Sequence, residues 1–570
     1  MLLARFIQSS GARSLSRRSL FGVGRSSVVL YLALLVAAVV LRAYWVVHHS
    51  AVLSADGGEY ARIAENLLRR GSYTGLFEGP ELMFPPFFPV LLALSTFFTG
   101  SIDIAARLIP FLAGVLLVPV VFALGRVMYG PRVALGAAAL IALHPVLIDL
   151  SGSAYSESIY LLLMFAGLYC ALRALDSGSL ALTVCCGTLF GLAFLTRPEA
   201  LFYPFVVLVV MLSTDLGTRW ARRFAVRSIC LFAPIVILTA PYAAYISRET
   251  GSLRLEGKSI MNYTIGERRN AGIPPHEAAL GIGPNLSEDG PQLSPNHFIA
   301  AARRAPSARE LASYWVESAR RNKKTLPDLL LSPPFGSLLV IGLMVLGLFS
   351  RPWHRPRAVQ EAVLIGVALG HLLLLLGLHL IRTTYLLPLM AVLLFWVSKG
   401  VDEAARWGMG TARRALAAYR PPARWLDASI RCVLIAALVV QALWGMRWGT
   451  FDDQGPNTRL LKDVGVWLDH YRPGDKRIMT LHPTVAYYSA GILLLMPVTT
   501  ASLALQYVHL KRPDFIVLFD RDGAIAAYLR QWLDDGIPDK AASIIYRASS
   551  ASHDGVTIYE WRGSGPAPSL

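Results

Sequence analysis

The chain has 570 residues, of which 54% are hydrophobic and only 16% charged, with a net charge of +17. A soluble domain carries about a quarter charged residues, so a single aqueous globule is excluded. The basic residues fall in short clusters between apolar runs rather than along one exposed face, which suits membrane orientation and argues against a nucleic-acid partner.

Segment 1–26 is basic, with Arg5, Arg13, Arg17, Arg18 and Arg25. The apolar run after it is longer than a secretory h-region and reads as a retained anchor. A membrane-spanning helix needs about 20 predominantly apolar residues. Such runs occur at 27–47, 104–127, 132–150, 155–175, 180–196, 199–214, 226–247, 335–350, 359–379, 382–399 and 428–448, eleven expected spans. Cys170, Cys185, Cys186, Cys230 and Cys432 all lie inside or at the ends of these runs, so no loop carries a disulfide framework or zinc-ligand spacing.

The run 85–98 is short and begins with prolines, and charge decides its reading. Connections rich in Lys and Arg lie at Arg126–Arg132, Arg219–Arg227, Arg351–Arg357 and Lys399–Arg424. The positive-inside rule places all of them with the basic N-terminus only if 85–98 does not cross. It therefore reads as a re-entrant or juxtamembrane helix. The expected outward regions are then 48–103, the long 248–333 loop, and the tail from 449 to 570. In that tail, strand-like runs (477–481, 514–519, 556–561) alternate with helical ones (460–470, 523–535), as in a small α/β domain. The expected fold is thus an all-α polytopic membrane domain over 27–448, with juxtamembrane helices and a C-terminal extracytoplasmic α/β domain. The N-terminus is expected in the cytoplasm, at a plasma (inner) membrane.

In the first outward region, Tyr60, Ile63, Ala64, Leu67 and Leu68 recur at helical spacing. Arg62, Glu65, Asn66, Arg69 and Arg70 take the other side, making an amphipathic interfacial helix. The plainer reading of its start is a capping box, with Asp56 as N-cap and Glu59 at N3.

The order of these pieces resembles the family 39 glycosyltransferases of the GT-C superfamily, which include protein O-mannosyltransferases and the bacterial enzymes that add aminoarabinose to lipid A. The resemblance rests on the Asp56-x-x-x-Tyr60 helix, the Gly71-Ser-Tyr73 turn and Pro85-Pro86-Phe-Phe-Pro89. It continues through Ser156-Glu157, the run from Gly191 to Arg197-Pro-Glu-Ala200, and Arg382-x-x-Tyr385-x-x-Pro388. It covers roughly residues 27–400. It implies GT-C fold and inverting transfer of a sugar from a polyprenyl-phosphate donor to a hydroxyl of an acceptor lipid, glycan or protein. Asp56 matches the family's catalytic aspartate. An alcohol is a poor nucleophile at neutral pH, so a carboxylate must take its proton. The phosphate leaving group needs no acid, but cations must stabilise its growing charge.

Arg197 and Arg382 sit at the expected outward ends of spans, where few cations belong, and are candidates for gripping that phosphate. Each could equally be an interfacial side chain snorkelling to water, and Arg197-Pro198-Glu199 also suits a helix entry. His379, near the same face, and Tyr385 join the phosphate-binding set. Glu157 could orient the acceptor or complement a helix dipole, with Asp149 nearby. Glu59 is the further catalytic candidate. His144 and His371 lie within spans, His144 reading as a hydrogen-bonded core residue.

Three features depart from the family or add to it. Gly57 follows the aspartate where the family often has Glu. Phe84 stands where a cation commonly precedes Pro-Pro, so phosphate binding must come from elsewhere: Arg197, Arg382, Arg62 or Lys258. Asn262-Tyr-Thr264 and Asn285-Leu-Ser287 match the N-glycosylation sequon. Asp56 with Glu59 or Glu157 could supply oxygen ligands to a divalent ion, but the mannosyl and aminoarabinosyl branches are metal-independent, so no cofactor is expected. The rival reading is a lipid or sugar transporter or flippase. Transporters place ionisable groups near the bilayer midplane and show paired halves. Here the candidate groups gather at span ends and no internal repeat is visible.

Overall fold

The computed structural model describes residues 25–49, 52–214, 220–282, 293–302, 306–332, 335–350, 353–415, 423–446, 458–548 and 555–562. The N-terminal arginines before Arg25, the Asn285 sequon and part of the 399–424 basic connection lie outside them. All eleven expected spans are helical. Among the described residues, seven helices are long and apolar enough to cross a membrane: Val28–His49, Ile102–Tyr129, Glu157–Ser177, Ala221–Thr250, Arg355–Leu376, Thr383–Thr411 and Leu426–Met446. An eighth expected span is broken into Pro131–Leu143 and Pro145–Gly152, bent by 54°. Leu180–Phe194, Pro198–Thr214 and Leu338–Phe349 are apolar but shorter. At 1.5 Å per residue such helices rise no more than about 26 Å, below the ~30 Å of a hydrocarbon core. Phe87–Thr99 is a separate short helix of 13 residues.

The break at His144-Pro145 has a local cause and a remote remedy. Proline removes a backbone donor and disfavours a helical residue before it. The last carbonyls of Pro131–Leu143 are then left without partners inside the apolar core. Arg42, on the first span and 0% exposed, supplies them. It donates to the carbonyls of Ile141 (3.2 Å) and Ala142 (2.9 Å) and to Ser151 Oγ (3.1 Å).

Residues 458–562 build the five-stranded sheet, in the order β2-β1-β3-β5-β4. Its strands are β1 (Arg477–Thr480), β2 (Ile492–Leu495), β3 (Phe515–Phe519), β4 (Ala542–Ala548) and β5 (Val556–Trp561). β1 pairs in parallel with β2 and β3, and β5 runs antiparallel to β3 and β4. Central β3 is buried on both faces, as a strand covered by helices on either side must be. β2 and β4 were not predicted from the sequence: neither the all-apolar ILLL of β2 nor ASIIYRA of β4 alternates with a period of two.

The three regions expected to face outward pack against one another. Leu493 of β2 donates its N–H to the Leu76 carbonyl (2.8 Å), and Val498 donates to Leu280 (2.9 Å). Leu293 belongs to the sheet domain's core. Tyr488 Oη receives the Leu53 N–H (3.1 Å). Residues at or beside three of the basic connections meet elsewhere. Arg357, Tyr129 and Trp396 all bond Glu361, and Ser398 bonds the Val133 carbonyl. Helix Arg355–Leu376 runs from that cluster to Leu374 beside the outward loops, and its 22 residues span about 33 Å.

Candidate active site

Helix Ala55–Arg70 begins with Ser54 as its N-cap, the hydroxyl accepting the Gly57 N–H at 3.1 Å. Asp56 is therefore not the cap, and Glu59 does not close a capping box. Asp56 lies half-buried in the first turn, where its charge meets the positive end of the helix. Two glycines follow it because two walls close in. A Cβ on Gly57 would lie 2.9 Å from Ala154 Cβ, and one on Gly58 would lie 3.2 Å from Tyr487 Cβ. The glutamate that the family often carries after the aspartate has no room here.

One turn later, Tyr60 is buried between Phe84 and Phe88, each ring centroid 4.9 Å away and edge-on. Its hydroxyl donates to Ser156 Oγ at 3.1 Å. Burial, then the charges of Asp56 and Glu157, raise its pKa above the ordinary tyrosine value, while Arg197 opposes them. Tyr60 thus stands within electrostatic reach of Asp56 on one side and the Glu157–Arg197 pair on the other.

That pair opens a chain of charges. Arg197, 8% exposed, donates one terminal nitrogen to Glu157 (2.5 Å) and the other to Glu199 (3.1 Å). Lys258, from the 248–333 loop, reaches the same Glu199 oxygen at 3.3 Å. Two carboxylates and two cations make the group neutral. The Tyr385 ring lies 5.3 Å from both the Arg197 guanidinium and the Lys258 amine. The Tyr160 ring is 5.8 Å from Arg197, and its hydroxyl meets that of Tyr203 at 2.7 Å. Glu157, Arg197, Glu199, Tyr160 and Tyr385 line a small pocket that Leu374, Thr384 and Pro388 complete, with Lys258 and Tyr203 just behind its wall. Asp56 is not in its lining; Tyr60 and Ser156 separate them.

His371 also lines the pocket, with Nε2 2.8 Å from the Tyr385 carbonyl. His379 is outside it. Its backbone N–H and Nδ1 both meet Asn262 Oδ1, at 2.9 and 2.7 Å. Burial, then Arg269, Arg382, Arg321 and Lys258, push its pKa down to about 4, so it is neutral and adds no charge. Arg382 is exposed at the rim, just before the short 3-10 turn Thr383–Leu386 that swings Tyr385 inward. Burial opposes the charge on Lys258, but Glu199 and Tyr385 outweigh it and hold the amine above the ordinary lysine value.

The structure thus brings Glu157, Arg197 and Tyr385 together, keeps Asp56 apart behind Tyr60 and Ser156, and leaves Arg382 and His379 outside the pocket lining. Glu59 is 3% exposed and turned away from the pocket, accepting the Leu76 N–H at 3.0 Å. Asn262 is consumed by Tyr314, Gly377 and His379, so its sequon is not an open acceptor. His144 lies at the helix break in the core, as its apolar flanks suggested. Glu199, Tyr160 and Tyr203 were missed. Glu199 read as a first-turn residue, and the tyrosines read as ordinary members of apolar runs.

Residues 84–244 match the family model described as dolichyl-phosphate-mannose-protein mannosyltransferase. No curated protein matches the chain by sequence. Among solved structures, it is similar to the Archaeoglobus fulgidus oligosaccharyltransferase tethered to an acceptor peptide, at 13% identity and TM-score 0.59, covering 95% of this chain and 74% of that one. The same archaeal enzyme, AglB, in complex with an inhibitory peptide and a dolichol-phosphate gives 14% identity and TM-score 0.56, over 94% and 74%. ArnT from Cupriavidus metallidurans, bound to undecaprenyl phosphate, gives 16% identity and TM-score 0.50, over 96% and 100%. The chain therefore shares the fold of these solved enzymes, and its 84–244 segment, less than a third of its length, matches the dolichyl-phosphate-mannose-protein mannosyltransferase family model.

Proposed function

We propose that this protein is an integral-membrane glycosyltransferase that moves a sugar from a polyprenyl phosphate to an acceptor hydroxyl at the extracytoplasmic face. The observation that carries this reading is the buried cluster of Glu157, Arg197 and Glu199, joined through the Tyr60–Ser156 hydrogen bond to the helix that carries Asp56. A carboxylate that can take a proton and a pocket that holds cations are the two parts that displacement at a sugar carbon uses.

Asp56 takes the proton of the acceptor hydroxyl as its oxygen bonds to the anomeric carbon. The bond from that carbon to the phosphate oxygen breaks on the opposite side, and its electron pair leaves with the phosphate, so the configuration inverts. Lys258 and Arg382 receive that charge. Arg197, both of whose ends are held by carboxylates, keeps the pocket electrically neutral and fixes Glu157 and Glu199 for the sugar hydroxyls. The ring of Tyr385 forms the floor under both cations.

The test is transfer from a panel of labelled polyprenyl-phosphate sugars by the purified protein, comparing wild type with Asp56→Asn. Removing a general base is expected to slow transfer by roughly 10²–10⁴-fold with donor binding intact. Equal transfer by both proteins removes Asp56 from the mechanism. Sugar uptake into vesicles with no transfer to any acceptor supports the transporter instead.

A further inference from the structure

Glu59 and Glu81 form a buried acidic pair that the proposed reaction does not use. They are 3% and 1% exposed, and their carboxyl groups converge over Gly75. A Cβ there would lie 3.0 Å from Glu81 Oε2 and would overlap the carboxyl of Glu59. The pair joins separate parts of the chain. Glu59 sits three residues after Asp56 on the same helix and holds the Leu76 N–H. Glu81 Oε1 accepts from the N–H groups of Met83 (2.7 Å) and Phe84 (2.9 Å), and its Oε2 accepts from Asn296 Nδ2 (3.1 Å). Asn296 in turn receives the Leu82 N–H at 2.9 Å. The loop so held leads into Phe84, which packs on Tyr60.

We infer that one proton shared between Glu59 and Glu81 clasps the 72–86 loop to the helix carrying Asp56, and that the clasp opens when this proton leaves. Two adjacent buried carboxyls cannot both be ionised without a counter-charge. The hydrogen-bond inventory assigns the proton. Glu81 accepts three N–H donors and is the carboxylate. Glu59 accepts one, and its hydroxyl donates to Glu81. Burial, then the charge of Glu81, raise Glu59 well above the usual carboxylate range. The other titratable groups facing the pair are Arg62 on the same helix, Tyr73 in the loop, and Tyr242 and Tyr245 on helix Trp220–Thr250. Arg62 is the only cation among them, and it is engaged by the Tyr487 carbonyl and Glu65.

The sign follows from linkage. The clasped state binds a proton that the open state releases, so the clasp is complete at low pH. Between the ordinary glutamate pKa and the raised one, its equilibrium weakens about tenfold per pH unit.

The test is hydrogen exchange of the 72–86 amides from neutral to alkaline pH, corrected for intrinsic exchange, beside transfer activity. The activity readout rests on the transferase reading; the exchange readout does not. Wild-type protection is expected to fall as pH rises. Glu59→Gln, which keeps the shape and the donor without the charge, is expected to hold the loop and the activity throughout. Should Glu59→Gln not fold, the wild-type exchange profile alone decides the clasp. Wild-type protection that stays flat with pH overturns the clasp, as does a Gln variant that loses protection in parallel with wild type. If no variant transfers any sugar, the transferase reading fails while the exchange data still decide the clasp.

Discussion

Replacing Arg197 by Met takes the central cation out of the neutral quartet. Its side chain is buried, as is that of Glu157, while Glu199 is partly buried. Glu199 keeps Lys258 at 3.3 Å, so the group left stranded is Glu157. Two unit charges about 4 Å apart attract by about 4 kcal/mol at an effective dielectric of about 20. Breaking one side of a buried ion pair costs about 3–5 kcal/mol, in line with that figure. Glu157→Gln removes the stranded charge, so the double variant Glu157→Gln/Arg197→Met is expected to regain most of the loss, to within about 1 kcal/mol of wild type. Thermal unfolding in detergent, followed by the reaction of the fully buried Cys186 thiol with a fluorogenic reagent, reads both. Donor binding should recover with stability, because the phosphate is assigned to Lys258 and Arg382. A double variant no more stable than Arg197→Met, or a single variant that melts like wild type, refutes the charge accounting. Recovery of stability without recovery of donor binding would make Arg197 a direct phosphate ligand.

Other expectations follow from single contacts. Lys258→Met should weaken polyprenyl-phosphate binding by at least tenfold with little change in melting. In wild type that binding should persist as pH rises past the ordinary lysine value, since the amine stays charged until its raised pKa is passed. His379 is neutral above about pH 4, while the unfolded chain protonates it near 6.5. It therefore stabilises the fold above 6.5, and on the order of 3 kcal/mol is lost as pH falls from there to 4. His379→Gln should flatten that acid limb of a melting-versus-pH curve while leaving donor binding at neutral pH unchanged. Gly57→Ala should cost about 1–3 kcal/mol by forcing the Asp56 turn off Ala154, and should lower the transfer rate with Asp56 still present. Arg42→Leu leaves the Ile141 and Ala142 carbonyls without donors in the apolar core, which should cost more than about 3 kcal/mol and show as lost folded protein in detergent.

The membrane class, the helices and the amphipathic segment at 55–70 were legible in the sequence because each depends on local periodicity and length. Asp56, Glu157, Arg197 and Tyr385 stood out for a similar reason, as polar residues at the ends of apolar runs or in a family-like order. One kind of local evidence misled. Asp56-x-x-Glu59 has capping-box spacing, yet Ser54 supplies the cap, and Glu59 turns to a loop partner 22 residues away.

What the sequence determined by itself was which segments leave water and which carry charge, since transfer free energy and helical period act on neighbours in the chain. Only tertiary structure decided which charges meet. Lys258 reaches Glu199 across 59 residues, Arg197 reaches Glu157 across 40, and Arg42 serves carbonyls 99 and 100 residues away. Such partners are selected by the packing of helices and loops whose sequences do not encode one another's positions. The cost of burying a charge alone makes those meetings obligatory once the fold brings the groups together.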